Sequence, residues 1–246
     1  MLILFREFFA PPRHLILFVI AAWLGLALAE KRSEQHGISK ETLNNITFYS
    51  LIGYIIGGRV LYAAGHFSAF AKSPLSLISL NPDLLDPLSA ALTAILIGSI
   101  YGQRQKLSLW PTLDSLTLLF TVTAIGLSLS HLAAGTAFGS QTNMPWGIDL
   151  WNAKRHPTQI YEFIASLLAL GLLWFKRPDS RPGLYFITFV ALTAFARLII
   201  EAFRGDSLIV FGGFRQAQIY AWLVLGLSFI LFEYRQEQSK EKSNHG

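Results

Sequence analysis

Ionisable side chains inside long apolar stretches are expensive to place in a membrane, so they are the first residues to examine for chemistry. Arg197, Glu201 and Arg204 lie at i, i+4 and i+7 and so share one face of a helix. That face could hold a plain Arg–Glu bridge, or it could line a cavity with one guanidinium left over to meet a phosphate. A second set, Arg155-His156-Pro157-Thr158-Gln159-Ile160-Tyr161-Glu162, reads as the opening of a helix. Pro157 suits a first helical position, and Gln159 and Glu162 sit one turn apart at the mouth, where they could grip a polar headgroup. In Gly57-Gly58-Arg59 two residues without side chains let a helix or a headgroup approach, and Arg59 can either bind phosphate through its fork of donors or snorkel to the interface. Gly53 and Gly57 also form a small-xxx-small pair that packing alone would explain. His131 precedes the small run Ala133-Ala134-Gly135. It reads either as a hydrogen-bonded packing residue or as a base, since imidazole is the ordinary side chain that exchanges protons near neutral pH.

The elements that must position these residues are membrane helices. Of 246 residues, 52% are hydrophobic and only 14% charged, with a mean hydropathy of +0.44. Soluble chains carry about a quarter charged residues, so an ordinary soluble enzyme and a disordered chain are both excluded. Cysteine is absent, which rules out a disulfide scaffold, a thiolate metal site and a cysteine nucleophile, so any thiol chemistry must use a thiol on the substrate. No metal or cofactor is expected. The net charge of +5 suits anionic headgroups, while the scattered Lys and Arg argue against nucleic acid.

Seven apolar stretches predict an all-α polytopic membrane protein: His14–Ala29, Leu43–His66, Pro87–Gln103, Ser115–Gly139, Pro157–Phe175, Gly183–Phe203 and Ala217–Phe232. The first lacks a following small-residue cleavage site and reads as a retained span. With the C-terminus cytoplasmic, the inner segments hold eleven Lys and Arg and the outer ones seven, leaving Arg59 and Arg197 inside spans. That bias predicts an outer N-terminus and an inner C-terminus. Residues 1–234 are expected to form one transmembrane domain and 235–246 a disordered cytoplasmic tail. Two long connections, His66–Asp86 and Phe138–His156, fall outside, and the Gly, Pro and two Trp of the second suit an irregular arm at headgroup level. No internal repeat supports a transporter.

The block His156-Pro157-Thr158-Gln159-Ile160-Tyr161-Glu162 resembles the His-Pro-Ser/Thr-Gln-Leu-Tyr-Glu motif of the phosphatidylglycerol–prolipoprotein diacylglyceryl transferases. Gly57-Gly58-Arg59 with Tyr62 is similar to that family's Gly-Gly-Arg segment. The stretch from Phe195 to Arg204 is similar to its Phe-Arg-x-x-x-Glu-x-x-Arg segment, and Gly139 through Trp146-Gly147 to its Gly-x-x-Thr-x-x-Pro-Trp-Gly arm. Gln218 matches a glutamine opening the last helix.

The resemblance implies a bacterial plasma-membrane enzyme that moves the diacylglyceryl group of phosphatidylglycerol onto the lipobox cysteine thiol in the signal peptide of a preprolipoprotein, releasing glycerol phosphate. It makes Arg197 the residue acting on the headgroup, and Arg59, Glu201 and Arg204 its supporting network, with His156, Gln159 and Glu162 at the arm. Departures from the family pattern are specific. The His-Gly-Gly motif opening the third span is replaced by Asp86-Pro87-Leu88, and the Gly-Arg-x-Gly-Asn-Phe-x-Asn-Gly-Glu segment by Leu127 through Thr136, which puts His131 where one asparagine is expected. A tyrosine one turn before Arg197 is Thr193. Two readings follow: an active transferase in which His131 serves as base and Arg197 and Arg59 hold the phosphate, or a catalytically silent lipid-binding protein on the same scaffold.

Overall fold

The computed structural model describes residues 2–79, 81, 84–176 and 181–244, with side chains to residue 237. Arg177, part of the inner charge count, and the last two residues of the expected tail lie outside the described residues. Described contacts separate two compact units, residues 37–112 and residues 1–36 with 113–246. Six described helices are long and apolar enough to cross a membrane.

In the smaller unit α3 (Lys40–Gly65) packs along α5 (Pro87–Arg104), with the short α4 (Phe67–Lys72) between them in sequence. Ser39 caps α3 by accepting from the Thr42 amide, and Asp86 caps α5 by accepting from the Ser89 amide at 2.6 Å, with Pro87 in the first turn. The glycines of α3 set the helix separation. A Cβ on Gly57 would collide with the Thr93 side chain, and Thr93 Oγ1 donates to Gly53 O at 3.0 Å. The small-xxx-small pair is thus a packing device. The third expected span forms a helix, α5, but the polar residues at its ends keep it out of the six apolar enough to cross.

The larger unit begins with α1 (Leu2–Phe8) and α2 (Leu15–Ser33), then α6 (Leu109–Ala134), most of which lies in this unit. The hydroxyls of Thr117, Thr121 and Ser128 on α6 donate back to carbonyls of their own helix, so they add no unmet polar group to the most buried of the six spans. After α6 comes the arm, then α7 (Thr158–Phe175), α8 (Leu184–Ile200) with a closing turn Glu201–Phe203, and α9 (Gln216–Asn244).

Two features differ from the sequence expectation. The chain is mostly helical rather than all-α, because β1 (Ile148–Leu150) pairs with β2 (Ala153–Arg155) inside the arm and β3 (Ile209–Val210) pairs with β4 (Phe214–Arg215) before α9. Both turns are closed by residues at positive φ: Trp151 and Asn152 in the first, and Phe211, Gly212 and Gly213 in the second. The second feature is the backbone of α9, which stays helical to Asn244 where an unstructured tail is expected. The Gln, Glu and Lys of that stretch are good helix formers and let the span run on.

Candidate functional site

The site grows from the ends of α6, α7 and α8. Glu162, in the second turn of α7, aims its carboxylate at α8. Its Oε1 accepts from Arg197 Nη1 at 3.2 Å and from Arg204 Nη1 at 2.9 Å. Glu201 is almost fully buried and lies 2.9 Å from the other edge of Arg197 and 3.8 Å from Arg204 Nε. Asp206 completes the set by accepting from Arg204 Nε at 2.8 Å and Nη2 at 2.7 Å. Burial alone would lower the Arg204 pKa. The hydrogen bonds to Asp206 and the charges of Glu162, Asp206 and Glu201 outweigh it and raise the pKa, so this guanidinium stays charged. Arg215 fixes the backbone here by donating to Arg204 O at 2.6 Å and to Ser207 Oγ at 2.7 Å.

Arg204 and Glu201 are sealed, whereas Arg197 keeps 39% of its side chain exposed. It borders a cavity of about 300 Å³ whose walls are mostly small or apolar, among them Ala124, Leu127, Ala165, Ala169 and Leu192. The polar residues of that wall are Arg197, Glu162, His131, Ser128, Ser166 and Thr193. His131 Nδ1 stands 3.8 Å from Glu162 Oε2, beyond hydrogen-bond reach, and is buried without another partner. The arrangement is an apolar pocket with a guanidinium, a carboxylate and an imidazole in its lining.

The arm lies over the same end. Ser140 N donates to Phe203 O at 2.7 Å, Gly205 N to Phe138 O at 2.9 Å, and His156 N to Ser140 O at 3.0 Å. Gly139 and Gly205 permit this backbone-on-backbone contact, since a Cβ on either would strike a facing main chain. The His156 ring packs on Phe203, and its Nδ1 is 3.3 Å from the Tyr161 hydroxyl, which also accepts from Trp146 Nε1 at 2.8 Å. Gln159 is buried and donates to Thr136 O at 2.7 Å, and Thr158 Oγ1 donates to Ala137 O at 2.7 Å.

Five of the residues singled out from sequence therefore meet: His131, Glu162, Arg197, Glu201 and Arg204. His156 and Gln159 instead fasten the arm to α7. Arg59 belongs to the other unit and is buried, where it donates to Ser76 O at 3.4 Å and Asn81 O at 2.9 Å and so holds a connection together. Tyr161, the meeting point of the arm, and Asp206, the partner of Arg204, were not singled out. Tyr161 stood inside the quoted motif, but nothing in its spacing distinguishes it from a packing tyrosine.

Fold and site define a polytopic membrane protein with a buried ion network at one end of its helices and a strapped-on arm beside it. The family model for prolipoprotein diacylglyceryl transferase matches residues 13–234. The phosphatidylglycerol–prolipoprotein diacylglyceryl transferase of Clostridioides difficile is 27% identical over 92% of this chain and 91% of its own length. Those of Acaryochloris marina (26% identical, 87% and 83%) and Thermotoga maritima (28% identical, 83% and 74%) are similar over most of both chains. The chain belongs to the prolipoprotein diacylglyceryl transferase family.

Proposed function

We propose that this protein transfers the diacylglyceryl group of phosphatidylglycerol to the lipobox cysteine thiol of a preprolipoprotein in a bacterial plasma membrane. The observation that carries the reading is Arg197: two carboxylates fix its orientation while its part-exposed side chain lines a mostly apolar pocket able to take an alkyl chain. In the reaction the thiol sulfur bonds to the glycerol carbon that bears the phosphate. The C–O bond to the phosphate breaks, glycerol phosphate leaves with the electron pair, and the thiol proton passes to a base. Arg197 stabilises the departing phosphate.

His131 takes the proton. Glu162 Oε2, 3.8 Å from His131 Nδ1, would stabilise the positive charge that this proton brings. His156 holds the arm in place. The family match across both compact units supports reading 1–234 as one functional domain.

We further propose seven spans, with α5 as the third, an outer N-terminus, an inner C-terminus and the arm outside. A cysteine introduced at Ser140 then reacts with a membrane-impermeant thiol reagent in intact cells, and one at Ser239 does not. The silent lipid-binding alternative draws on Asp86, which caps α5 where the family pattern has its histidine motif. Complementation decides between them. Expression in a strain depleted of its own transferase restores growth and lipoprotein maturation if the protein is an enzyme, and a membrane-inserted protein that restores neither is the silent form.

A further inference from the structure

A second polar concavity, of about 520 Å³, lies in the same unit between α1 and the β1–β2 hairpin, lined by Arg6, Asp149, Leu150, Trp151 and Lys154 among others. Three of its lining residues pack against Gly135, which follows α6 at φ 72°. A Cβ there would stand 2.9 Å from Arg6 Nη2 and 3.4 Å from both the Leu150 and Trp151 side chains, so all three converge on the one residue that admits them. Trp151 is a bulky residue at φ 54°, a conformation that persists only when surroundings enforce it, and its indole N–H donates to Gly135 O at 3.0 Å.

The cations in this concavity are unspent. Arg6 Nε is buried without a hydrogen-bond partner, and among the described residues Arg6, Lys154 and Asp149 make no ion pair. Buried donors are ordinarily satisfied, so a guanidinium left open in a concavity that Lys154 also lines points to an acceptor from outside the chain. The surroundings say which kind. Ile3, Leu4 and Phe8 of α1 are 65–73% exposed and Trp151 is 60% exposed, and α1 leads directly into a membrane-crossing helix. Apolar and indole side chains in that position lie among lipid headgroups.

We infer that Arg6, Lys154 and Trp151 form a seat for the phosphate of a phospholipid headgroup, separate from the Arg197 network, that ties the arm's hairpin to the bilayer. The two cations take the phosphate, Asp149 faces the hydroxyl or ammonium of the headgroup, and the indole packs on its glycerol end. None of these residues belongs to the proposed transferase machinery, so the inference stands or falls without it.

The test uses the full chain in detergent, with Arg197→Ala as background to blank the first site, and native mass spectrometry to count retained phosphatidylglycerol. Arg6→Gln and Lys154→Gln each weaken the remaining bound lipid about fivefold, the upper end of what one exposed charge pair contributes. Arg6→Lys restores part of the loss. Unchanged retention in both glutamine variants, each with the parent's thermal unfolding, overturns the inference. Displacement by inorganic phosphate at concentrations that leave other bound lipid in place assigns the seat to free phosphate and overturns the lipid reading. Displacement only by an acidic peptide assigns it to a protein partner and overturns it as well.

Discussion

Asp114 and Glu162 are carboxylates of the same compact unit, and their partners differ in kind. Asp114, near the start of α6, is 3% exposed and accepts from the amides of Gly183 at 2.6 Å and Phe186 at 2.8 Å, capping α8 from a neighbouring helix. Around it the pattern repeats: Arg32 donates to Leu173 O and Trp174 O, and the Tyr185 hydroxyl donates to Leu173 O at 3.0 Å. These charges and hydroxyls end on main-chain atoms, which cannot leave without unravelling a helix. Glu162 is met by Arg197 and Arg204, side chains whose rotamers can change, and one of them borders a cavity. A buried charge spent on backbone is architecture. One spent on another mobile charge beside an open pocket can be traded for a ligand.

The sharpest way to break this contrast is to exchange the consequences. Arg197→Ala should lower transferase turnover about 10²–10³-fold, as removal of a preorganised charge-stabilising donor does. Its unfolding temperature in detergent should fall as well, because Glu201, almost fully buried, loses its 2.9 Å partner, so turnover is read on folded molecules. Arg197→Lys should recover little, since a point charge cannot meet two carboxylates and a phosphate together. Asp114→Ala should cost stability alone. It leaves two buried amides of α8 without an acceptor and should cost about 2–3 kcal/mol of stability, read by chemical denaturation, while folded molecules keep their turnover. A large activity loss in folded Asp114→Ala protein would dissolve the distinction.

What was legible in sequence divides along the same line. Apolar runs and the i, i+4, i+7 spacing of Arg197, Glu201 and Arg204 are local, and they yielded the helices and one ion-paired face. The role of Glu162 is not local: its partners lie 35 and 42 residues away, and only the packing of α7 on α8 joins them. Asp114 was passed over for the same reason, with its amides 69 and 72 residues on. The hairpins escaped because their strands are three and two residues long, too short for alternation to register, and the first turns on Trp-Asn rather than on glycine. Arg59 donates to carbonyls of the connection after α3, a role that its sequence, read as phosphate-binding or snorkelling, does not reveal, because the carbonyls lie 17 and 22 residues on.

Smaller effects sharpen the comparison at the edges. Tyr161→Phe removes the acceptor of Trp146 and the neighbour of His156, and should cost about 1 kcal/mol of stability. If the arm positions substrate, KM for a lipobox peptide should rise more than kcat falls. The smallest effect belongs to Asp86, whose hydrogen bonds to Ser89 hold its pKa below the usual aspartate range. A depressed folded pKa means the cap stabilises above the unfolded value and that this contribution fades as pH falls through the folded one. Unfolding midpoints of wild type and Asp86→Asn should therefore differ at neutral pH and converge in acid.

The most direct test of the central claim follows chemistry rather than stability. Purified protein in phosphatidylglycerol micelles is given a lipobox peptide, and thioether-linked diacylglyceryl peptide and released glycerol phosphate are measured together. The account predicts both products in equal amounts from wild type, near loss of both in Arg197→Ala, and a marked decrease in His131→Ala. A folded wild type that binds phosphatidylglycerol yet forms neither product would contradict it and leave a silent lipid-binding protein on a transferase scaffold.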